Sequence, residues 1–261
     1  MADYIFIRKS RNALSSLAHM ILNLLLAVVS IGATVITGNC IIGIVLIIVS
    51  KWRVFAVNHR YWWLNIRSSL VDFIVGVSFV LLAYAAGSIF LPVHFILMVA
   101  YAIWLIVIKP RSSLGFAITQ ALIAVLVGTT AATVFAAITD SIVLVISEFI
   151  IGYAASHHVL VQGDDKETSF ISIVYGLFAA EIAWLSHAWL IIYSFPSTGV
   201  CVSQLALLLS VLTFAYFKVY HNISQHDGKI NLRELALPLI FTAVIVAVLI
   251  IGFSQPRFNI H

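Results

Sequence analysis

Charged residues are scarce in this chain, and their scarcity excludes the soluble classes of protein. Only 9% of its 261 residues are Asp, Glu, Lys or Arg, whereas 62% are hydrophobic. In soluble domains about a quarter of the residues are charged. Polar segments long enough to fold by themselves are also lacking. We therefore predict one integral membrane domain that covers residues 1–261.

The regular alternation of apolar and polar residues that marks a membrane strand is missing as well, so a β-barrel is not expected. Apolar runs of about 20 residues recur instead, which is the length that a helix needs to cross a hydrocarbon layer of about 30 Å. The predicted fold class is an all-α polytopic transmembrane helix bundle. Cysteine is rare too: Cys40 and Cys201 lie in or beside apolar runs, and we expect packed thiols rather than a disulfide framework.

Nine spans are predicted from the apolar runs. The first two share residues 13–50, because one helix of that length would be about 57 Å long; a hairpin is expected either near Gly32 or at residues 37–39. Pro92 suits the first turn of the fourth helix, and Asp140 is the predicted N-cap of the sixth. The later spans are expected at 69–87, 92–108, 114–136, 141–158, 169–193, from the turn at 196–199 to 217, and 235–253.

The basic residues predict the orientation of these spans. With the N-terminus in the cytoplasm and nine alternating spans, 13 of the 14 Lys and Arg residues fall in cytoplasmic segments, and only Arg257 lies outside. Short cytoplasmic loops carry such an excess of basic residues. A missed or extra span would move every later loop to the other face, so the agreement supports a cytoplasmic N-terminus and an external C-terminus.

The first cytoplasmic loop, residues 51–67, combines cations with aromatic rings. The cations are Lys51, Arg53, Arg60 and Arg67, and the aromatic residues are Trp52, Tyr61, Trp62 and Trp63. Such rings favour the headgroup level, so the loop is expected to lie along the inner membrane surface and to hold the topology. The alternative is a docking site for anionic lipid headgroups; no nucleic acid partner is expected. Asp72, shortly after the loop, is expected to pair with Arg67.

The stretch "KWRVFAVNHRYWWLNIRSSLVDFIVGVSF", which begins at Lys51, resembles uncharacterised multi-pass membrane proteins of reduced-genome bacteria of the candidate phyla. The resemblance covers mainly residues 50–80. It implies that the protein lies in a bacterial plasma membrane, the inner membrane of the cell. It brings no activity and no site residues with it.

Ionisable groups inside the spans are the candidates for function, since each is costly in hydrocarbon. Glu148 and Glu181 lie in consecutive spans, which are usually antiparallel neighbours, and we expect the two carboxyls to face each other at a similar depth. Two acids in such a low-dielectric site would force at least one of them to hold its proton. This arrangement suits proton coupling.

His94 and His187 complete the predicted polar intramembrane site, with His19 as a further partner. His187 lies six residues after Glu181, which is about 240° around the helix, so these two side chains cannot point at the same spot. Neither histidine belongs to a metal-binding motif. Hydrogen-bonded packing is the simpler interpretation of each.

Small and hydroxyl side chains predict where helices touch. In the eighth span they recur at three- and four-residue spacing, at Ser203, Ala206, Ser210 and Thr213, with Phe217 at the end. A rougher stripe in the sixth span consists of Ser141, Glu148, Gly152 and Ala155. Such stripes let helices approach closely. Bundle packing is the simpler interpretation, and the lining of a substrate path is the alternative.

The sequence leaves three functions open. The first is a small-solute or ion transporter, proton-coupled through Glu148 and Glu181. The alternatives are a non-catalytic membrane scaffold or assembly subunit, and an intramembrane hydrolase or lipid-modifying enzyme. Since no catalytic residue, metal ligand or cofactor is predicted, the enzyme is less favoured. The expected partners are the lipid bilayer and either a second copy of the chain or another membrane subunit.

Reporter fusions test the predicted topology. A reporter that is active only in the cytoplasm should give a signal when it is fused after residue 60, 110, 165 or 225, because these positions lie in predicted cytoplasmic loops. Fusions after residue 88, 197 or 261 should give none. A signal at the C-terminus would show that a span has been miscounted.

Overall fold

A computed structural model of the chain describes residues 2–52, 56, 60, 62–89, 91–163, 167–189, 191–195, 197–226 and 229–252. Side chains are described from residue 17 onward, apart from those of residues 163, 189 and 252. Of the cations and aromatic residues named in the predicted cytoplasmic loop, Arg53 and Tyr61 lie outside the described residues, as does Arg257 at the C-terminal end.

Helices form almost all of the described structure, and the predicted all-α helix bundle is confirmed. Nine α-helices have eleven residues or more in this part of the chain: α1 Ala2–Thr37, α2 Cys40–Ser50, α3 Trp62–Ala85, α4 Pro92–Ile103, α5 Leu114–Ala136, α6 Ser141–Leu160, α7 Thr168–Ser186, α8 Gln204–Gln225 and α9 Leu232–Ala247. Two of them continue as π-helical turns, α4 at Trp104–Ile108 and α9 at Val248–Gly252.

The lengths of these helices divide them into two groups. Seven are long and apolar enough to cross a membrane. α2, with 11 residues, is about 16 Å long, roughly half the thickness of the hydrocarbon layer. The apolar helix at Pro92–Ile108 is also shorter than the seven. Helix length therefore supports seven full spans where the sequence predicted nine.

The hairpin between the first two helices lies at the second of its two predicted places. Gly32 is inside α1, and the chain turns at Gly38, whose φ of +61° is in the left-handed region that glycine tolerates. Asn39 then caps α2, because its Oδ1 accepts a hydrogen bond from the backbone N–H of Ile41 at 2.9 Å. The turn at residues 37–39 is thus confirmed.

Other local predictions agree with the structure. Pro92 opens α4, and Asp140 caps α6 by accepting from the backbone N–H of Ile142 at 3.4 Å. Cys40 and Cys201 are half-buried free thiols. These features depend on the backbone of a few neighbouring residues, which is why sequence patterns locate them.

The predicted seventh span is too long at its C-terminal end. α7 stops at Ser186, and after a 3-10 turn at His187–Trp189 the chain forms an antiparallel hairpin of β1 Ile192–Ser194 and β2 Cys201–Ser203. Gly199, with φ of +72°, lies in the connection. The first strand contains β-branched and aromatic residues, which favour extended backbone. Pairing with β2 supplies the hydrogen bonds that a continued helix would have made.

The eighth helix is longer than predicted, since α8 continues for two turns beyond Phe217 to Gln225. Asn222, in this polar extension, is buried. Its Oδ1 accepts from the backbone N–H of Asn231 at 2.9 Å, and its Nδ2 donates to Glu234 Oε2 at 3.2 Å. A helix that leaves the membrane no longer needs apolar residues, so hydropathy ended the predicted span too early.

Contacts between helix termini sort them into two ends of the bundle. At one end, Lys51 and Lys109 both contact Asp72, and Arg67 donates a hydrogen bond to Ser169 Oγ at 2.9 Å. We call this the basic end. It holds the C-termini of α2, α4, α6 and α8 and the N-termini of α3, α5, α7 and α9.

The opposite end holds the turn at Gly38 and the β-hairpin. A Cβ placed on Gly38 would lie 3.9 Å from Ser88 Cβ, in the loop after α3. Thr133, near the C-terminus of α5, donates to Ser203 Oγ at the start of α8 at 3.1 Å. The connections between the described helices therefore alternate between the two ends of the bundle.

Gly43 lets α1, α2 and α3 approach one another closely. A Cβ at this position would overlap Thr34 Oγ1 of α1 and would lie 2.8 Å from Val80 Cγ1 of α3. It would also lie 2.9 Å from the Ser30 carbonyl oxygen, which is backbone and cannot move aside. The close contact of α2 with α1 thus requires a residue without a side chain.

Alanine substitutions at two glycines test this packing. Gly43→Ala should destabilise the protein by about 1–3 kcal/mol, because the added methyl group overpacks the three-helix contact. Gly32→Ala is the matched control: no atom outside its own helix lies within 4 Å of the added Cβ, and we expect unchanged or slightly higher stability. Thermal unfolding in detergent micelles measures both. Equal melting temperatures for the two variants would contradict the packing described.

Candidate functional site

Glu148 is a fully buried acid on α6. Thr129 of α5 donates a hydrogen bond from its Oγ1 to Glu148 Oε2 at 2.8 Å. The other carboxyl oxygen, Oε1, has no hydrogen-bond partner among the described residues. Unpartnered buried polar atoms are uncommon in folded proteins and call for a functional or structural explanation.

Two glycines bring the helices around Glu148 together. A Cβ on Gly152, one turn after Glu148, would lie 2.8 Å from Ala179 Cβ of α7. A Cβ on Gly176 of α7 would lie 2.8 Å from the Phe149 carbonyl oxygen of α6. The small-residue stripe predicted on α6 is thus a helix contact, and it places Glu148 inside the bundle.

Hydroxyl side chains continue from Glu148 toward both ends of the bundle. We call this set the hydroxyl seam; it comprises Thr129, Thr133, Ser156, Tyr175, Ser203, Thr213 and Tyr216. Toward the end opposite the basic end, Thr133 Oγ1 donates to the Thr129 carbonyl oxygen at 2.7 Å and to Ser203 Oγ at 3.1 Å. This half of the seam joins α5 to the start of α8.

The other half of the hydroxyl seam lies toward the basic end. The hydroxyls of Tyr175 and Thr213 share a hydrogen bond at 2.6 Å, and those of Tyr216 and Ser156 share one at 2.9 Å. The rings of Tyr175 and Tyr216 stack with their centroids 4.3 Å apart. The seam therefore links four helices, α5, α6, α7 and α8, through side chains that can both donate and accept.

The second acid of the predicted site lies in different surroundings. Glu181 is exposed on α7, and His187, in the turn that follows, is exposed as well. Glu181 is five residues from Gly176, which places it about 140° away around the helix from the face that packs on α6. The structure therefore brings Glu148 together with Thr129 and leaves Glu181 and His187 exposed, away from them.

His94 connects the end of α3 to the start of α4 through hydrogen bonds to the backbone. It is fully buried, and its Nδ1 accepts a hydrogen bond from the backbone N–H of Leu91 at 3.0 Å. Because Nδ1 accepts, the ring proton is on Nε2, which donates to the Ala83 carbonyl oxygen at 3.1 Å. Both nitrogens are used by the backbone, as the packing interpretation of this histidine requires.

A second polar site, which the sequence analysis missed, lies at the basic end. Lys51 Nζ contacts Asp72 Oδ2, and Lys109 Nζ lies 2.7 Å from the same oxygen. Trp104 Nε1 donates to the other oxygen, Oδ1, at 3.1 Å. We call these four residues the lysine cluster. It joins the end of α2, the middle of α3 and the π-helical turn after α4.

Arg67, the expected partner of Asp72, points elsewhere. Its guanidinium lies over the Tyr153 ring, 5.7 Å from the ring centroid, and donates to Ser169. Asp72 is five residues after Arg67, about 140° around the helix, so the two side chains lie on different faces. The pairing predicted from sequence is thus replaced by contacts to residues that are distant in the chain. Arg60 is exposed.

The lysine cluster holds two lysine side chains against one carboxylate. Burial, together with the neighbouring Lys109 ammonium, lowers the pKa of Lys51 to about 6. Burial lowers the pKa of Lys109 as well. With both lysines protonated the cluster has one cation more than Asp72 can neutralise.

Gln120 holds the segment that carries Lys109. Its Nε2 donates to the carbonyl oxygens of Ile108 at 2.8 Å and Arg111 at 2.9 Å. Its Oε1 accepts from His158 Nε2 at 2.7 Å. These bonds satisfy backbone groups at the end of the π-helical turn and fix the position of Lys109 beside Asp72.

A cleft of about 520 Å³ opens beside the lysine cluster. Its polar lining residues are His19, Asn23, Ser30, Ser50, Lys51 and Lys109. The α1 residues among them run from 19 to 30, a distance of about 16 Å along the helix. The cleft thus extends from the basic end past the middle of the spanning segment Leu17–Thr37.

Among the residues that the structure describes, no group of three or more His, Cys, Asp or Glu side chains is arranged to hold a metal ion. No family model, curated protein or solved structure matches the chain. Function is therefore argued from the geometry of the hydroxyl seam and the lysine cluster.

Removal of the shared carboxylate tests the lysine cluster. Asp72→Asn should lower the stability by about 1–3 kcal/mol, because it removes the counter-ion shared by the buried Lys51 and the solvent-screened Lys109. Asp72→Asn combined with Lys51→Met should recover part of the loss. Asp140→Asn is the matched control, since asparagine caps a helix as well as aspartate does. Equal melting temperatures for Asp72→Asn and Asp140→Asn would show that the lysine cluster does not contribute to the stability of the protein.

Proposed function

We propose that the protein is a small-solute or ion transporter of the bacterial plasma membrane, and that it couples transport to protonation of Glu148. The seven long apolar helices are those of an integral membrane protein. We assign the basic end to the cytoplasm, because short cytoplasmic loops carry the excess of lysine and arginine.

The buried carboxyl of Glu148 is the observation that carries the proposal. The described ion pairs involve Asp72 and Glu234, so no described cation neutralises Glu148. An unpaired carboxylate is costly in a low-dielectric interior, and the group is expected to hold its proton at rest. Such a group changes its charge only when a proton leaves or a cation arrives, and this is what coupled transport requires.

The hydroxyl seam supports the proposal by its position. Thr129, Thr133 and Ser203 lie between Glu148 and the end opposite the basic end, and the tyrosine pair lies on the other side. Each of these hydroxyls can donate and accept a hydrogen bond. A proton or a small polar solute would therefore meet hydrogen-bonding groups on both sides of the acid.

A non-catalytic membrane scaffold is the second candidate, and a specific observation favours it. Glu148 is fully buried and lines none of the four cavities that stand out among the described residues, although Tyr175 and Tyr216 of the hydroxyl seam line one of them. The acid itself is therefore enclosed in this conformation. Interhelical hydrogen bonds also stabilise membrane bundles without any transport role. The two candidates differ in what a neutral substitute for Glu148 should do.

Glu148→Gln separates these candidates. The purified protein is placed in liposomes that contain a pH-sensitive dye, and proton flux is measured after addition of sodium, potassium, chloride, phosphate or alanine. The transporter should show proton flux with at least one of these solutes, and Glu148→Gln should reduce that flux at least tenfold. The amide matches a neutral carboxyl in shape, so stability should stay within about 1 kcal/mol.

Glu181→Gln is the comparison variant, because it changes the other predicted carboxyl at an exposed position. Flux should be retained in this variant. Flux that survives in Glu148→Gln, or wild-type protein that moves protons with none of the five solutes, would overturn the transport proposal. Unchanged folding of Glu148→Gln without any wild-type flux is the result that a scaffold requires.

A further inference from the structure

The cleft beside α1 exists because α2 is much shorter than its neighbour. Gly43 of α2 packs against Ser30 and Thr34 of α1. Ser50, two turns further along α2, therefore lies level with the middle of the α1 spanning segment. α2 ends there, and the next part of α1 borders the cleft instead of a helix.

The cations of the cleft lie deeper than the usual level of lipid headgroups. α2 is about 14 Å shorter than the hydrocarbon layer, and Lys51 follows it directly. The side chain of Lys51 is 13% exposed and that of Lys109 is 37% exposed, both facing Asp72. A lysine whose backbone lies below the headgroup level extends its side chain toward the headgroups, so that its ammonium group can reach a lipid phosphate.

The wall beside the lysines is apolar and faces outward. Leu22, Leu25 and Val29 line the cleft, and they are 61%, 51% and 48% exposed. Trp52, 62% exposed, lies at the rim, where indole rings favour the level of the headgroups. One site thus combines a cationic top, an aromatic rim and an apolar wall that continues into the bundle surface.

We infer that this cleft is a binding site for an anionic phospholipid. The lipid phosphate accepts hydrogen bonds from Lys51 and Lys109, and one acyl chain lies along Leu22, Leu25 and Val29. The inference concerns the basic end alone and does not depend on Glu148 or on transport.

Charge and shape together select this ligand. The cluster has two lysine amines for one carboxylate, and a bound phosphate supplies a second negative charge, which favours the protonated, hydrogen-bond-donating form of both lysines. A soluble phosphate would neutralise the lysines but would leave the apolar wall uncovered. A zwitterionic lipid would cover the wall but would bring its own cation beside the lysines. An anionic lipid satisfies both parts of the site.

The inference moves the headgroup site that the sequence suggested. Residues 51–67 were the expected location, whereas among the described residues of that loop Lys51 and Trp52 line the cleft. The second cation, Lys109, follows α4 and is held in place by Gln120. The site is therefore assembled from segments that are distant in the chain.

Native mass spectrometry of the purified protein tests the site, with equal amounts of phosphatidylglycerol and phosphatidylcholine added in mild detergent. The wild type should retain phosphatidylglycerol with at least a tenfold preference. The triple variant Lys51→Met/Asp72→Asn/Lys109→Met removes the cluster without leaving an isolated charge, and it should bind the two lipids equally. Arg111→Gln is the control, because it lowers the net charge by one, as the triple variant does, at a residue outside the cleft lining.

Two further measurements keep the test decisive. Lys109→Met alone leaves the Lys51 and Asp72 pair in place and should lower the preference several-fold in a protein that still folds. Glu148→Gln should keep the full preference. An unchanged preference in the folded triple variant, or no preference in the wild type, would overturn the inference. Displacement of the lipid by an equal concentration of glycerol phosphate would identify a soluble phosphate as the ligand and would overturn it as well.

Discussion

A hydrocarbon layer offers no hydrogen bonds, and every polar group that these helices carry into it must find a partner inside the chain. Threonine and serine do so by donating to the preceding turn, as Thr34 does to the Ser30 carbonyl oxygen at 2.8 Å and Ser78 to that of Ile74 at 2.7 Å. Glu148 meets the same requirement at only one of its two oxygens among the described residues. Glu148 is therefore an acid with a buried polar atom that the described fold does not use, and the hydroxyls of Tyr101, Ser210 and Thr242 are unused in the same way.

Features that depend on a few neighbouring residues were predictable from sequence. The turn at Gly38, the proline start of α4 and the Asp140 cap each follow from local backbone geometry. The β-hairpin and the full length of α8 were not, since hydropathy measures how apolar a segment is and not which hydrogen bonds its backbone makes. The seventh predicted span ran into β1 for this reason, and the eighth stopped before Asn222 was included.

The candidate site was predictable in part, because the neighbours of an acid on its own helix indicate which face it occupies. Glu148 shares its stripe with Gly152 and Ala155, and such small residues mark a helix contact. Glu181 has Trp184 and Leu185 one turn away, and these side chains are 68% and 58% exposed. The lysine cluster had no such signal. Its members come from different helices, and their meeting depends on where α2 ends, which apolar composition alone does not show.

The short α2 also affects the membrane around the protein. Along most of the circumference the lipids meet helices long enough to span the full layer, whereas beside α1 and α2 they meet polar groups below the headgroup level. A bilayer adapts to such a mismatch by local thinning, or the protein tilts, and the free-energy cost is a fraction of about 1 kcal/mol per ångström of mismatch. Such thinning would be confined to one side of the protein and to the leaflet at the basic end. The protein therefore has a preferred direction in the plane of the membrane, and its neighbours meet a different lipid thickness depending on the side from which they approach.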